Sequence, residues 1–411
     1  MTVTLAVVGA GQRGTLYARL AHELGAKVVA VAEPDAAARA RFVAEHGLAP
    51  GVTFGDWRDL FSRPQLADAV AICTQDRDHV APAVAAAAAG YDLLVEKPMA
   101  TDEQGAEAIV AAVREAGVIS GVCHVLRFTA YTQRLKALVT QGTIGRIVSV
   151  QHLEPIGWWH FAHSFVRGNW RREADTSPML AQKSVHDIDW IGHIVDEPVT
   201  RVASFGSLLE FRPENAPAGA AGRCLDCAVR GTCPFDAVRL YQGFLNDPDY
   251  HDWPVTVVTP DPTPASLAAA LREGPYGECV YAGHNDVVDH QVVTLEFPSG
   301  ANASFSAVAF TEMAHRKTRL FGTRGWLEGD GMAITVHDFV TDTYQRLDTN
   351  TPGVASGHGG GDEGLMRAFL RAVAERDQSA ISSDVAASLD SLRVVWAAER
   401  ARHAGTVETI V

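Results

Sequence analysis

No run of eighteen consecutive apolar residues occurs in the 411-residue chain, so no segment is expected to cross a membrane as a helix. The N-terminus has no basic segment, and its apolar stretch is already committed to a first strand, so a signal peptide is not expected either. Positive charge is in deficit. Against 49 Asp and Glu stand only 35 Lys and Arg, and the net charge of −14 argues against nucleic acid or an anionic membrane as the main partner. Cysteine is sparse, six in all, and no internal repeat is visible. The expected compartment is therefore the cytoplasm, where thiols stay reduced and a metal or core role is favoured over disulfides. What is present is ordinary for a globular protein, 47% hydrophobic and 20% charged, and the length suggests two or three domains with ample core.

The most informative stretch is the first thirty-three residues. An apolar run from Val3 to Val8 reads as a buried strand, and Gly9-Ala10-Gly11-Gln12-Arg13-Gly14 follows at once and opens an amphipathic helix. A second apolar strand, Val28 to Ala32, ends on Glu33. Each part suits a dinucleotide. Gly9 permits the tight turn, Gly11 lets backbone approach a pyrophosphate, and Gly14 lets the helix sit close on the strand. The helix N-terminus then faces the phosphates, and Glu33 can take the ribose hydroxyls. A carboxylate there favours NAD over NADP, whose 2′-phosphate it would repel, although Arg39 and Arg41 stand nearby.

To about residue 123 the text alternates short apolar strands with helical stretches, a βαβ rhythm that predicts a parallel sheet covered on both faces. Ligands of such sheets bind at the carboxyl ends of the strands. Thr74, Asp76 and His79 follow the strand Val70 to Cys73, and Glu96-Lys97-Pro98 follows Leu93 to Val95, so both segments should converge with the glycine turn on one crevice. After residue 124 the pattern predicts a mostly antiparallel sheet in a second, α+β domain spanning 124–411. Residues 210–290 read as an insertion, and a glycine-rich loop at 357–361 precedes two helical segments within 362–403, with Asp362 a plausible N-cap.

The glycine turn, Glu33, the Thr74–His79 segment and above all Glu96-Lys97-Pro98 resemble the Gfo/Idh/MocA oxidoreductases. The resemblance implies a Rossmann NAD-binding domain, 1–123, followed by an open-sheet substrate domain. It also implies oxidation or reduction of a sugar or polyol carbon, and association as a dimer or tetramer through the open sheet face. In the family the lysine matching Lys97 reaches the reacting hydroxyl and the cofactor, and a helix carries an aspartate followed four residues later by a proton-accepting histidine. His186 matches the histidine, but Gln182 stands where the aspartate would be, with Lys183 next to it. An imidazole without a carboxylate partner is a poorer base.

The residues themselves support the same cleft. A lysine beside a cationic nicotinamide in a partly dry crevice has its charged form disfavoured and can orient a hydroxyl or share its proton. Lys183 and His186 are three apart, so one helical face over Leu180 to Val195 can present both, while Asp187 and Asp189 are candidates to orient the histidine or to structure the next turn. The stretch from Trp158 to Arg172 mixes aromatics with His163, Arg167, Asn169 and Trp170, where rings can stack on a sugar, polar groups can take hydroxyls and arginines can hold an anionic substituent. His124, Arg127 and Tyr131 are further candidates for the cleft.

Two net reactions remain open. One is an NAD-dependent sugar dehydrogenase. The other, also known among chains resembling this one, is an NAD-dependent glycosidase that oxidises C3 transiently, eliminates the aglycone and adds water, with sulfoquinovosides or N-acetylhexosaminides as examples. A non-catalytic NAD-binding protein is disfavoured by the presence of both Lys97 and His186. Finally, Cys224, Cys227, Cys233 and Cys279 fit a structural zinc, or an iron–sulfur cluster, stapling an insertion expected to lack its own core. Buried or free thiols are the alternative. Cys73 and Cys123 read as core.

Overall fold

The structure, a computed structural model, describes residues 2–349 and 359–410. Its first sheet contains β1 (Thr4–Val8), β2 (Lys27–Ala32), β3 (Thr53–Phe54), β4 (Ala69–Ile72), β5 (Asp92–Val95) and β6 (Ser120–Val122), all parallel, in the order β3-β2-β1-β4-β5-β6. β1, β4 and β5 are buried nearly throughout, which is why their sequences are continuous apolar runs rather than alternating ones. The register decides what meets at the carboxyl ends. Val8 pairs with Ala32 on one side and Ile72 on the other, and Ile72 pairs with Val95. Gly9, Glu33, Cys73 and Glu96 therefore emerge side by side, tied by Gly9 N to Ala32 O (2.9 Å), Cys73 N to Val8 O (2.7 Å) and Glu96 N to Ile72 O (2.9 Å).

The second sheet has nine strands. They are β7 (Ile147–Pro155), β8 (Arg201–Ser207), β9 (His290–Glu296), β10 (Asn302–Val308), β11 (Lys317–Gly322), β12 (Gly325–Gly329), β13 (Ala333–Asp338), β14 (Thr343–Asp348) and β15 (Val407–Thr409). Their order is β14-β13-β12-β11-β7-β10-β9-β8-β15, antiparallel except where β7 lies parallel to β10. Alternation is clear in β9, where Gln291, Val293 and Leu295 are buried and Val292 and Thr294 are exposed, so one face is covered and the other open. The helices Val185–Val195 and Val385–Ala404 pack on the covered face. Among the described residues no helix is long and apolar enough to cross a membrane.

Three sequence expectations change. The helix expected over Leu180 to Val195 is two pieces, Met179–Gln182 and Val185–Val195, with Lys183 and Ser184 in the break. Lys97 Nζ donates to the Gln182 carbonyl there, drawing that oxygen out of a continuous helical ladder. Lys183 and His186 thus come from adjacent segments, not from one helical face. The insertion does have a core of its own: Cys224, Ala237, Tyr241, Leu267, Leu271 and Tyr276 form one buried cluster under the helices Ala237–Leu245 and Pro264–Glu273. Asp362 is not the cap of its helix, Gly361–Glu375, whose N-cap is Gly360. His358 and the start of the glycine-rich loop lie outside the described residues.

Candidate active site

At the end of β1 the turn is shaped by three glycines with different duties. Gly9 adopts φ +90°, in the left-handed region, and a side chain there would strike the Cys73 carbonyl. A Cβ on Gly14 would run into the Gly9 carbonyl, so Gly14 lets the helix Gln12–Glu23 close on the turn. Gly11 is the opposite case: a Cβ would meet nothing within 4 Å, so the protein itself does not need glycine here. That space lies over a helix start whose N-cap, Gly11, supplies no side chain to its first amides, with Gln12 exposed beside it. Open room above free helix amides is what a pyrophosphate requires. Glu33, buried, steadies the turn by accepting from Ala10 N (2.7 Å) and Asp35 N (2.8 Å). Arg39 is held by the Glu33 and Pro34 carbonyls rather than poised for a 2′-phosphate.

The neighbouring strand ends add the chemistry. Glu96 sits between Arg13 Nε (2.6 Å), the Tyr17 hydroxyl (3.1 Å) and the amide of Lys97 (2.7 Å). Burial opposes its charge, but Arg13 and Lys97 outweigh that and hold its carboxyl below the usual range. Lys97 is pushed down by burial, against the pull of Glu96 and Asp76, and nearby Lys183 adds to the depression. Asp76 is pushed up by burial despite Lys97, and it accepts a hydrogen bond from Trp170. Its Oδ2, Thr74 Oγ1, Ser177 Oγ and Gln182 Oε1 are buried without hydrogen-bond partners. Buried polar atoms of this kind, here contributed by both domains, are ones that a bound polar ligand can satisfy.

The second domain brings cations and their counter-charges. Lys183 Nζ lies 3.2 Å from Glu154 Oε1, on β7, and Arg316 Nε bridges Glu154 (2.6 Å) and Asp187 (2.9 Å). Asp187 is held far below the carboxylate range, where Arg316 and His152 overcome the burial that opposes its charge. His160 was within the aromatic stretch but not singled out by sequence. Burial first, then Lys183 and His163, push its imidazole well down, so it is neutral at pH 7. Its Nδ1 faces the Ile156 carbonyl at 3.0 Å, which assigns the proton there and leaves Nε2 as an acceptor. Glu154 and Arg316 lie on or beside sheet strands, and no local motif announces them.

Comparison with known proteins settles the family. The model of the oxidoreductase family's NAD-binding Rossmann fold matches residues 3–124, and that of its C-terminal alpha/beta domain matches residues 136–409. The chain belongs to the Gfo/Idh/MocA family. Similar curated proteins include the 1,5-anhydro-D-fructose reductase of Ensifer adhaerens, 30% identical over 44% of this chain and 52% of that one. Another is the 2,7-anhydro-N-acetylneuraminate hydratase of Mediterraneibacter gnavus, 29% identical over 46% of this chain and 48% of that one. The chain thus spans about half the length of these relatives. In fold it is similar to an oxidoreductase from Agrobacterium radiobacter solved with NAD+, L-tartaric acid and magnesium. That match has a TM-score of 0.73 at 15% identity and covers 100% of this chain and 99% of the other.

Within this Gfo/Idh/MocA chain several expected site residues point elsewhere. Arg13 is spent on Glu96, Asp362 and Tyr17, clasping the turn to the helix Gly361–Glu375. His79 bridges the Pro98 carbonyl (2.8 Å) and the Thr74 carbonyl (3.1 Å), joining two strand-end loops. Arg127 grips Asp189 with both arms of its guanidinium (2.7 and 2.6 Å), and Tyr131 packs against Gly329 of β12. His124 is buried on Ser388 (3.0 Å), edge-on to His186 with ring centres 6.0 Å apart, and burial pushes it down to about 4. His163 bonds the Tyr241 hydroxyl (2.8 Å), and Arg167 turns into the insertion, toward the carbonyls of Glu278 and Phe235. The reason is common to both: Trp158–Phe161 winds into a wider helical turn, Ala162–Arg167, whose buried side directs them away from the cleft. Asn169 is exposed, and Trp170 alone of the four reaches Asp76. Asp187 and Asp189 each carry an arginine.

The four cysteines of the insertion do gather, lining one small cavity. Yet among the described residues no three His, Cys, Asp or Glu side chains stand close enough together to hold a metal ion, and all six cysteines are free thiols. Zinc as drawn from sequence spacing alone is therefore not what the geometry displays.

Proposed function

We propose that the protein is an NAD-dependent oxidoreductase acting on a ring carbinol carbon of a neutral sugar or polyol. The observation that carries this reading is the meeting of Lys97 with the Gln182–His186 segment over the strand ends, sealed by Lys97 Nζ on the Gln182 carbonyl. NAD, when bound, supplies the hydride acceptor. Lys97, with its ammonium form disfavoured, orients the substrate hydroxyl, and His186 takes its proton. Lys183, buttressed by Glu154, and the acceptor Nε2 of His160 fix neighbouring hydroxyls. A neutral ligand is favoured because the cations are already balanced: Lys183 and Arg316 by Glu154 and Asp187, Lys97 by Glu96 and Asp76. In the arginine-rich stretch Arg171 pairs with Glu278 and Arg172 with Asp175, while Arg167 turns into the insertion, toward the carbonyls of Glu278 and Phe235. Replacing Lys97 with Ala should abolish turnover while sparing NAD affinity, and retained turnover would remove Lys97 from the mechanism.

One observation favours a second reading. Gln182 cannot act as a carboxylate, and its amide is tied to Thr176 and Ser177, so base strength at His186 rests on other groups. Two further proton carriers, Lys183 and His160, stand near. That set suits transient oxidation followed by elimination and addition of water, and one similar protein is named a hydratase. Incubation with catalytic NAD and a panel of nitrophenyl glycosides separates the two. Aglycone release without accumulating NADH would overturn the dehydrogenase, and stoichiometric NADH would overturn the glycosidase. A homodimer or homotetramer is also part of the proposal, through the open sheet face where Phe205 and Val292 are paired neighbours and exposed.

A further inference from the structure

The insertion reaches His160, one of the groups assembled around Lys183. Between its helices Ala237–Leu245 and Pro264–Glu273 the chain passes through His251–Val255, where Trp253 stands in extended backbone (φ −156°, ψ 129°). Val255 is fully buried, and His251 is fixed by the Leu245 carbonyl (2.7 Å). Trp253 itself is half-buried, and its indole meets the His160 ring edge-on, with ring centres 4.9 Å apart at 85°. The same indole packs on Trp159 (5.3 Å) and His163 (5.5 Å). His163 is in turn held by the core of the insertion, through the Tyr241 hydroxyl (2.8 Å) and by stacking on Tyr276 at 4.9 Å and 20°. Continuous aromatic packing therefore runs from that core to His160. Among the described residues the His160 ring makes one hydrogen bond, from Nδ1 to the Ile156 carbonyl at 3.0 Å. A single bond leaves the ring free to tilt about it, so packing has to fix the rest of its orientation.

We propose that the insertion completes the active site through Trp253, a positioning residue whose indole closes over His160 and holds its imidazole with Nε2 presented to a substrate hydroxyl. The use of that Nε2 rests on the reading of the cleft as a sugar site, whereas the packing does not. Trp253 acts without touching the reacting carbon. It keeps water from one side of the imidazole, and burial is the foremost reason that His160 is neutral. Lys183, His163 and Arg316 also face the ring and lower it further, the two cations being balanced by Glu154 and Asp187. From the insertion the titratable neighbours are Tyr250, against Trp159, and His251, on the Leu245 carbonyl. Neutrality matters to recognition: a neutral imidazole accepts at Nε2, but a protonated one donates from both nitrogens and would turn the substrate hydroxyl around.

The test is nitrogen NMR of the full-length protein carrying isotope-labelled histidine, the His160 signals being those that His160→Gln removes. Wild-type His160 is expected to keep its neutral Nδ1–H form from about pH 8 to about pH 5.5. In Trp253→Ala it should titrate inside that window, moving toward the ordinary value of about 6.5. Trp253→Phe, which keeps a ring edge against it, should restore the wild-type signals. Unfolding midpoints show which variants are folded, and Trp253→Leu, which keeps bulk without a ring, replaces the alanine variant if that one is not. With NAD and a panel of D-glucose, myo-inositol and nitrophenyl glycosides, kcat/KM should fall about 3- to 10-fold in Trp253→Ala, carried by KM. Added to His160→Gln, the same substitution should cost nothing more, because it acts through that ring. Wild-type His160 signals in the alanine or leucine variant, an Nε2–H form in the wild type, or additive losses would each overturn the proposal. Failure of every sugar to turn over would overturn the oxidoreductase reading alone, since the NMR result is read without substrate.

Discussion

Replacing Arg127 with Met tests whether its buried ion pair with Asp189 is structural. Its guanidinium holds Asp189 through two bonds of 2.7 and 2.6 Å and also reaches the Ser382 carbonyl. Asp189 is 1% exposed, and without Arg127 it keeps only Ser391 Oγ at 2.9 Å and His124 Nδ1 at 3.7 Å. Stranding a buried carboxylate in this way costs about 3–5 kcal/mol. The pH dependence supplies a second signature. In the wild type Asp189 is held below its ordinary value, burial being outweighed by Arg127, so it contributes stability above about pH 4 that is lost as pH falls. In the variant only His124 and Ser391 still oppose burial and the carboxyl rises, so stability instead falls as pH climbs above about 4.

Urea unfolding, followed by tryptophan fluorescence at about pH 5 and pH 8, reads both effects. Midpoint shifts are the quantity to compare, because a chain of this length seldom unfolds in one step. The double variant Arg127→Met, Asp189→Leu should regain most of the loss, since removing both charges leaves nothing stranded. A single variant that loses less than about 1 kcal/mol while its KM for the sugar rises would refute this reasoning and return Arg127 to the substrate.

Two further outcomes follow from the same geometry. Gly11→Ala should leave the unfolding midpoint unchanged yet weaken NAD strongly, whereas Gly14→Ala should lower both, because only the second Cβ collides within the protein; calorimetric NAD titration beside thermal melts distinguishes them. Acid should destabilise the protein well above the carboxylate range. Burial pushes His124 down to about 4 and His163 to about 3, so the stability they lend is fully present above about pH 6.5 and drains as pH falls from there. His124→Gln should flatten the slope of midpoint against pH over that window.

The nucleotide half was legible in the sequence because its signals are local. Buried parallel strands appear as apolar runs, and a glycine turn must follow the strand that it caps, so order along the chain already implies Gly9, Glu33, Thr74 and Glu96 at one edge. The substrate half was less legible because its partners are remote. Nothing near Arg127 in sequence announces Asp189, and nothing near Glu154 announces Arg316. Arg167 and His163 look like sugar ligands by residue type, and only the helical winding of Ala162–Arg167 shows them facing the insertion. The break at Lys183 was likewise invisible, because the lysine that meets the Gln182 carbonyl there stands 85 positions earlier in the chain.

The clasps also explain why the division near residue 123 is one of sequence pattern rather than of core. Leu365, Met366, Phe369 and Ile381, late in the chain, share one buried cluster with Leu5, Val7, Tyr17 and Val28. A side chain on Gly121, in β6, would strike Ile381 and touch Phe369. Arg13 ties the nucleotide turn to Asp362, and Arg376 pairs with Asp92 at the start of β5. The last helices thus complete the first domain while Val385–Ala404 packs against β8 of the second. Lys97 and His186, which belong to different halves, are therefore carried on elements that these late helices join. A separation fixed before ligand binds is what hydride and proton transfer at one carbon demand, since misplacement of about 1 Å can cost about 100-fold in rate. Residues near Phe369 should accordingly affect turnover without touching the substrate.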